Sequence, residues 1–126
     1  MYIIASIGQI LFGLFWLSSS YNHFSRFTMM TGYVGSKKVP FPKLAIAISG
    51  VLLLVGGLGI ITGLYVWWAI LALVVFLVPV TFIMHNFWAD TDPQAKMSNR
   101  GQFMKNMALL GALLILWQFS VLAYSF

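Results

Sequence analysis

Charged side chains are scarce in this sequence of 126 residues. Only 7% of the residues are charged, whereas 61% are hydrophobic and 17% are aromatic. A soluble domain needs roughly a quarter of its residues charged to cover its surface. The composition therefore excludes a soluble globular protein and predicts one integral membrane domain over residues 1–126, with the lipid bilayer as its surroundings.

Cysteine is absent, and only Asp90 and Asp92 are acidic. The absence of cysteine excludes disulfide bonds, CxxC redox chemistry and thiolate metal sites. The sequence also has no nucleophile triad, phosphate-binding loop, nucleotide fingerprint or cluster of metal ligands. We therefore predict no metal site and no catalytic residues, and we expect any enzymatic activity to come from another subunit. The two carboxylates are interpreted as solvated or ion-paired side chains in a turn or cap before Pro93.

Basic residues give the chain a net charge of +5. A nucleic-acid-binding protein would gather such residues into a dense stripe among polar neighbours. Here they occupy two segments that connect apolar runs, and the start of the run that follows, so the charge is interpreted as an orientation signal and a nucleic-acid partner is excluded. These residues are Arg26, Lys37, Lys38, Lys43, Lys96, Arg100 and Lys105.

Four apolar runs predict an all-α membrane protein, an antiparallel bundle of four transmembrane helices. Between the first two runs, residues 24–43 place apolar side chains at helical spacing and predict a short amphipathic helix in the interface. Almost no linker separates the second run from the third, so these two form a hairpin. Residues 86–101 form the second polar connection. The predicted spans are 2–20, 44–64, 65–85 and 102–124.

An even number of spans puts residues 21–43 and 86–105 on the same side of the membrane. All seven basic residues lie in these two segments. The positive-inside rule therefore predicts that both segments are cytoplasmic and that both termini lie outside.

Small residues recur where helices would pack. Ser49, Gly56 and Gly63 are seven residues apart in the second run, with Gly57 offset by one, and the fourth run carries Ala108 and Gly111. Such a pattern lets neighbouring backbones approach closely. Packing within the chain is the favoured interpretation, and a homodimer face is the alternative.

Polar residues at the ends of the runs form a candidate ligand-binding site. Ionisable groups at membrane depth usually face the interior of a bundle and are paired. A hydrogen bond between His85 and Asn106 is sterically feasible, but His85 could equally cap the free carbonyls at a helix end. The candidates are His23, His85, Asn86, Trp88, Lys105 and Asn106.

Two cofactors are compatible with this set. His23 and His85 together would provide the two imidazoles of a b-type haem, although no other feature supports haem. Trp88 beside His85 would suit a quinone ring, and it is also a simple belt aromatic at the membrane interface.

Motifs along the chain resemble the DoxX family of small four-span membrane proteins. They comprise the stretch from Gly13 to Asn22 (GLFWLSSSYN), Val39-Pro40-Phe41-Pro42, Gly56-Gly57, His85-Asn86-Phe87-Trp88, and the stretch from Phe103 to Gly111 (FMKNMALLG). The resemblance implies a bacterial or archaeal inner (cytoplasmic) membrane and an association with quinone-linked oxidation. Many family members carry a glutamate shortly before the glycine pair, where this chain has Leu52 to Val55. A proton-coupled mechanism is thereby put in doubt.

Three functions follow from these observations, in order of preference. The first is an accessory subunit of a larger membrane complex, respiratory or otherwise redox, bound to other membrane subunits or to copies of itself. The second is a quinone- or haem-binding redox protein that uses His85, Trp88 and Asn106. The third is a small carrier for a solute or lipid, for which no inverted repeat or broken helix pair is detectable.

Overall fold

The computed structural model describes the backbone of residues 3–124 and the side chains of residues 3–120. Helices account for nearly all of this part of the chain, and no strand occurs in it. The all-α prediction is confirmed; Tyr2, the predicted first residue of a span, lies outside the described residues. The helices are α1 (Ile3–Ser25), α2 (Phe27–Ser36), α3 (Pro42–Thr62), α4 (Val66–Met84) and α5 (Pro93–Tyr124), with a 3₁₀ turn at Phe87–Ala89.

Four of these helices are long and apolar enough to cross a membrane, which confirms the predicted four-span protein. The short helix α2, of ten residues, occupies the segment for which an interfacial helix was predicted. The candidate spans are Ile3–Ser25, Pro42–Thr62, Val66–Ala89 and Pro93–Ser120.

Helix α5 begins at Pro93, whereas a connection up to residue 101 was predicted. Asp92 precedes its first turn, and its carboxylate accepts a hydrogen bond of 3.0 Å from the Ala95 amide. Proline suits the next position because its missing N–H would have no helical partner there. A capped start therefore extends α5 to 32 residues, about 48 Å at 1.5 Å per residue, which exceeds the hydrocarbon thickness of a bilayer.

Two compact units divide the chain, Met1–Leu73 and Val74–Phe126. In the first unit, α1 and α3 run antiparallel, as their cross-contacts show. Near the start of α1, Gln9 donates to the Ile60 carbonyl at 2.6 Å. Near its end, Ser20 donates to the Gly50 carbonyl at 2.8 Å.

The backbones of α1 and α3 approach most closely at glycines. A Cβ atom added to Gly13 would lie 3.1 Å from the Gly57 carbonyl oxygen and would overlap Ile61. A Cβ on Gly57 would lie 3.1 Å from the backbone nitrogen of Leu17. Neither backbone atom can move by a side-chain rotation, so this crossing requires glycine.

Other glycines of α3 pack against a different helix, α4. A Cβ on Gly56 would overlap Leu73, and one on Gly59 would overlap Ala69, both in the first part of α4. The hairpin between α3 and α4 turns at Gly63, which is left-handed with a φ of 72° and donates its N–H to the Gly59 carbonyl. This left-handed C-terminal residue is the usual reason for glycine at a helix end.

Gln9 caps the end of α3. Its side-chain amide donates to the Ile60 carbonyl and, at 3.3 Å, to the Ile61 carbonyl. The last carbonyls of a helix lack intrahelical partners, and Gln9 supplies a donor to two of them. The side-chain amide of Gln9, a polar group inside a membrane span, thus finds its hydrogen-bond acceptors at the end of α3.

The second unit contains the remainder of α4, the 3₁₀ turn and α5. Helix α4 continues through Pro79 to Met84. Along α5, Asn106, Leu113 and Ser120 are buried at intervals of seven residues. This spacing repeats nearly every two turns, so these residues form one stripe on α5.

Candidate functional site

A polar chain of three side chains lies where α4 ends and α5 begins. Nδ1 of His85 lies 3.3 Å from Oδ1 of Asn99. The Asn99 amide nitrogen donates to Oδ2 of Asp90 at 2.8 Å. All three residues are half-buried. We call His85, Asn99 and Asp90 the polar corner.

The order of donors in the polar corner fixes the tautomer of His85. An ionised carboxylate only accepts hydrogen bonds, so Asp90 must face the amide nitrogen of Asn99. The Asn99 oxygen then faces His85, and Nδ1 of the imidazole must carry a proton to donate to it. Neutral His85 therefore carries its hydrogen at Nδ1, and its Nε2 bears a lone pair.

Aromatic rings form a cluster around the 3₁₀ turn. The Trp88 ring centroid lies 5.4 Å from Phe87 and 5.8 Å from Phe103, with the ring planes close to perpendicular. Phe103 also meets Phe82 at 5.6 Å. Edge-to-face pairs of this kind stabilise by about 0.5–1.5 kcal/mol each. The cluster ties the last turns of α4 to the first turns of α5 and so holds the polar corner between them.

The other predicted ligand-binding residues are not members of the polar corner. The carbonyl of Asn86 accepts the Ala89 amide at 3.0 Å and closes the 3₁₀ turn. Lys105 is exposed and donates to Gln102 on its own helix at 2.6 Å.

Two further predicted residues are buried. Asn106 is only 5% exposed and lies on the stripe of α5 that also carries Asn99, seven residues earlier. His23 belongs to the first unit, where its Nδ1 donates to the Ser19 carbonyl at 2.8 Å. The partner that the structure gives His85 is Asn99, a residue that was not predicted.

The predicted packing residues differ in their surroundings. Gly56 and Gly57 are buried against α4 and α1, Gly63 ends α3, and Ser49 is half-buried. On α5, by contrast, Ala108 is exposed, and a Cβ added to Gly111 would meet nothing within 4 Å.

Small residues thus face outward from α5. Ala112 is exposed as well, and Ile115 follows on the same side with 61% of its surface exposed. At 100° per residue, this side of the helix is opposite the buried stripe of Asn106 and Leu113. We call Ala108, Gly111, Ala112 and Ile115 the open face of α5.

Asn99 and Asp90 were not among the predicted site residues. Asn99 was assigned to a loop because the fourth helix was expected to begin at residue 102. The signal that would have found it is the Asp92-Pro93 pair, a typical N-cap and first helical position. A helix that begins there places Asn99 on the same stripe as Asn106.

These four spans and the polar corner define the class: a small multi-pass membrane protein of four transmembrane helices. The chain matches the sequence profile of the DoxX family over residues 4–86, and it belongs to that family. The match ends one residue after His85, so Trp88 and the motif from Phe103 to Gly111 lie beyond it. Searches among curated proteins and among solved structures each found no match.

Proposed function

We propose that this chain is an accessory, non-catalytic subunit of a larger membrane complex, which it joins through the open face of α5. The observation that carries the proposal is that Ala108, Gly111 and Ala112 are small and unpacked. Lipid chains are as apolar as leucine, so small residues in membrane helices act mainly by letting another backbone come close. On α3 the glycines have such neighbours within the chain, whereas Gly111 has open space above it.

A partner helix would pack against the small residues of this face. The surface is continuous over two turns and ends in Ile115, which would pack against the side of an incoming helix. The complex is respiratory or otherwise quinone-linked, in keeping with the association of the family.

Blue-native electrophoresis of gently solubilised membranes tests the proposal. Wild-type protein should migrate in a complex far heavier than its own 14.1 kDa, and Gly111→Leu should release it because the leucine fills the space needed by the partner. Gly8→Leu is the matched control, since Gly8 in α1 also has nothing within 4 Å. Migration of the wild type as a lone monomer, or only as multiples of itself, would contradict an accessory role.

The proposed orientation places residues 21–43 and 86–105 in the cytoplasm and both termini outside the inner membrane. The lack of cysteine allows single cysteines to report on it. Ser36→Cys in intact cells should resist a membrane-impermeant maleimide, whereas Leu64→Cys in the hairpin should react. The opposite pattern would reverse the topology.

A quinone or quinol head-group site at the polar corner is the second candidate. It is favoured by the hydrogen-bond chain from Asp90 through Asn99, which holds the His85 imidazole in one orientation. Trp88, exposed beside it, offers an aromatic wall. Purified protein should then yield quinone on lipid extraction, and Asn99→Leu should lower the yield while Gln102→Leu should not. An extract without quinone, together with a spectrum lacking a Soret band, would remove both the quinone and the haem interpretations.

A further inference from the structure

Exposed basic and apolar side chains share one surface around α2. Arg26 precedes this helix, and Lys37 and Lys38 follow it. Lys43 lies in the first turn of α3, close to the end of α2, because a Cβ on Gly35 would lie 3.7 Å from Pro42. Arg26, Lys38 and Lys43 are exposed and Lys37 is half-exposed.

Carboxylates are missing from this part of the chain. The whole first unit, Met1–Leu73, contains no Asp or Glu, since the only acidic residues are Asp90 and Asp92. The first unit therefore carries four basic side chains and no acidic one. A surface of this kind attracts anions from its surroundings.

Large apolar side chains accompany these cations. Phe41, between Lys38 and Lys43, is 77% exposed, and Met29 and Tyr33 of α2 are exposed as well. Apolar and aromatic side chains beside Lys and Arg, next to a membrane span, are typical of a segment that lies among lipid head groups.

Arg26 also lines a groove at the break between α1 and α2. The residues that line this groove include one arginine, one serine, one threonine and three apolar side chains, a combination suited to a lipid phosphate and the first part of its acyl chains. It directly follows the candidate span that ends at Ser25. Its volume is about 440 Å³, and it is lined by Phe24, Ser25, Arg26, Phe27, Thr28 and Met29.

We propose that this surface binds anionic phospholipid, with the lipid phosphate at the Arg26 groove and Lys37, Lys38 and Lys43 adding attraction for the net negative charge. Charge complementarity selects this occupant over a zwitterionic lipid, because the surface carries no carboxylate that would pair with a choline group. The proposal is independent of any partner of α5 and of the quinone candidate.

Native mass spectrometry of the full-length protein in a non-ionic detergent tests it, with dioctanoyl phosphatidylglycerol and dioctanoyl phosphatidylcholine as probes. A basic residue near a membrane surface contributes about 1 kcal/mol, or roughly five-fold in affinity. Phosphatidylglycerol should therefore bind at least about ten-fold more tightly than phosphatidylcholine, and Arg26→Gln should weaken the binding of phosphatidylglycerol by roughly five-fold. Arg100→Gln, an exposed arginine of α5, is the control and should change it less than two-fold.

Two further measurements test the contribution of the three lysines and distinguish a lipid site from a site for free phosphate. The triple variant Lys37→Gln/Lys38→Gln/Lys43→Gln should reduce the preference for phosphatidylglycerol, with the helical circular dichroism unchanged. Inorganic phosphate should not displace the lipid at equal concentration, since it lacks the apolar part. Equal affinity for the two lipids, equal losses from Arg26→Gln and Arg100→Gln, or displacement by phosphate alone would overturn the proposal.

Discussion

Replacing Gly57 by alanine should push α1 away from α3 and lower the stability of the first unit. The added methyl group would lie 2.8 Å and 2.9 Å from side-chain carbons of Leu17 and 3.1 Å from the Leu17 backbone nitrogen. The side chain can rotate, but the backbone atom moves only with the helix. Overpacking of this kind typically lowers the free energy of unfolding by about 1–3 kcal/mol.

Equilibrium unfolding in mixed detergent and SDS micelles, followed by circular dichroism, measures this change. Gly8→Ala provides the matched control, because Gly8 lies in α1 with nothing within 4 Å of an added Cβ. It should leave the stability unchanged or raise it by up to about 1 kcal/mol through the higher helix propensity of alanine.

A double variant separates the contact with the Leu17 side chain from the contact with the Leu17 backbone. Leu17→Ala removes the two carbon contacts but leaves the backbone nitrogen in place, so Gly57→Ala should destabilise the Leu17→Ala background less than it destabilises the wild type, without becoming neutral. If Gly57→Ala were as stable as Gly8→Ala, the close approach of the two backbones would be refuted.

Further predictions concern single hydrogen bonds. Gln9→Leu should lower the free energy of unfolding by about 1 kcal/mol, because it leaves carbonyls at the end of α3 without a donor. Ser20→Ala should lower it by only about 0.6 kcal/mol, because the Gly50 carbonyl lies within a helix. The same unfolding assay compares the two variants, and equal losses would argue against the capping role of Gln9. Nitrogen-15 NMR of histidine-labelled protein at about pH 9 should find His85 with its hydrogen on Nδ1. Asn99→Ala should return it to the commoner Nε2–H form; an Nε2–H signal from the wild type would contradict the order of donors in the polar corner.

The helical membrane architecture could be predicted from the sequence because so few side chains are charged. Apolar runs long enough to span a bilayer leave little choice, since only helices and closed barrels satisfy their backbone there. The start of α5 could not be placed by hydropathy, because its first turns, from Pro93 to Arg100, are polar and project beyond the apolar run. Only the capping chemistry of Asp92 marks that boundary.

The packing roles of small residues were harder to predict than their presence. Gly56 and Gly57 are adjacent and therefore face different neighbours, α4 and α1, which a single seven-residue repeat does not express. Gly63 instead adopts the left-handed backbone conformation at the end of α3. The small residues of the fourth run also could not show that Gly111 has open space above it, because that depends on what surrounds α5.

The polar corner was predicted in part. His85 and its neighbours stood out as polar residues at the end of an apolar run. Its partner Asn99 did not, because the pairing depends on where α5 begins. Asp90 was interpreted as a solvated or ion-paired side chain, and in the structure its carboxylate accepts a hydrogen bond from the Asn99 amide.

Photo-crosslinking from the open face of α5 in native membranes tests the proposed accessory role most directly. Benzoylphenylalanine at Ile115, which is exposed beside Gly111, should yield an adduct with a different membrane protein. The same group at Leu14, half-exposed on α1, should yield no such adduct. Crosslinks from Ile115 only to lipid, or only to a second copy of this chain, would contradict the account.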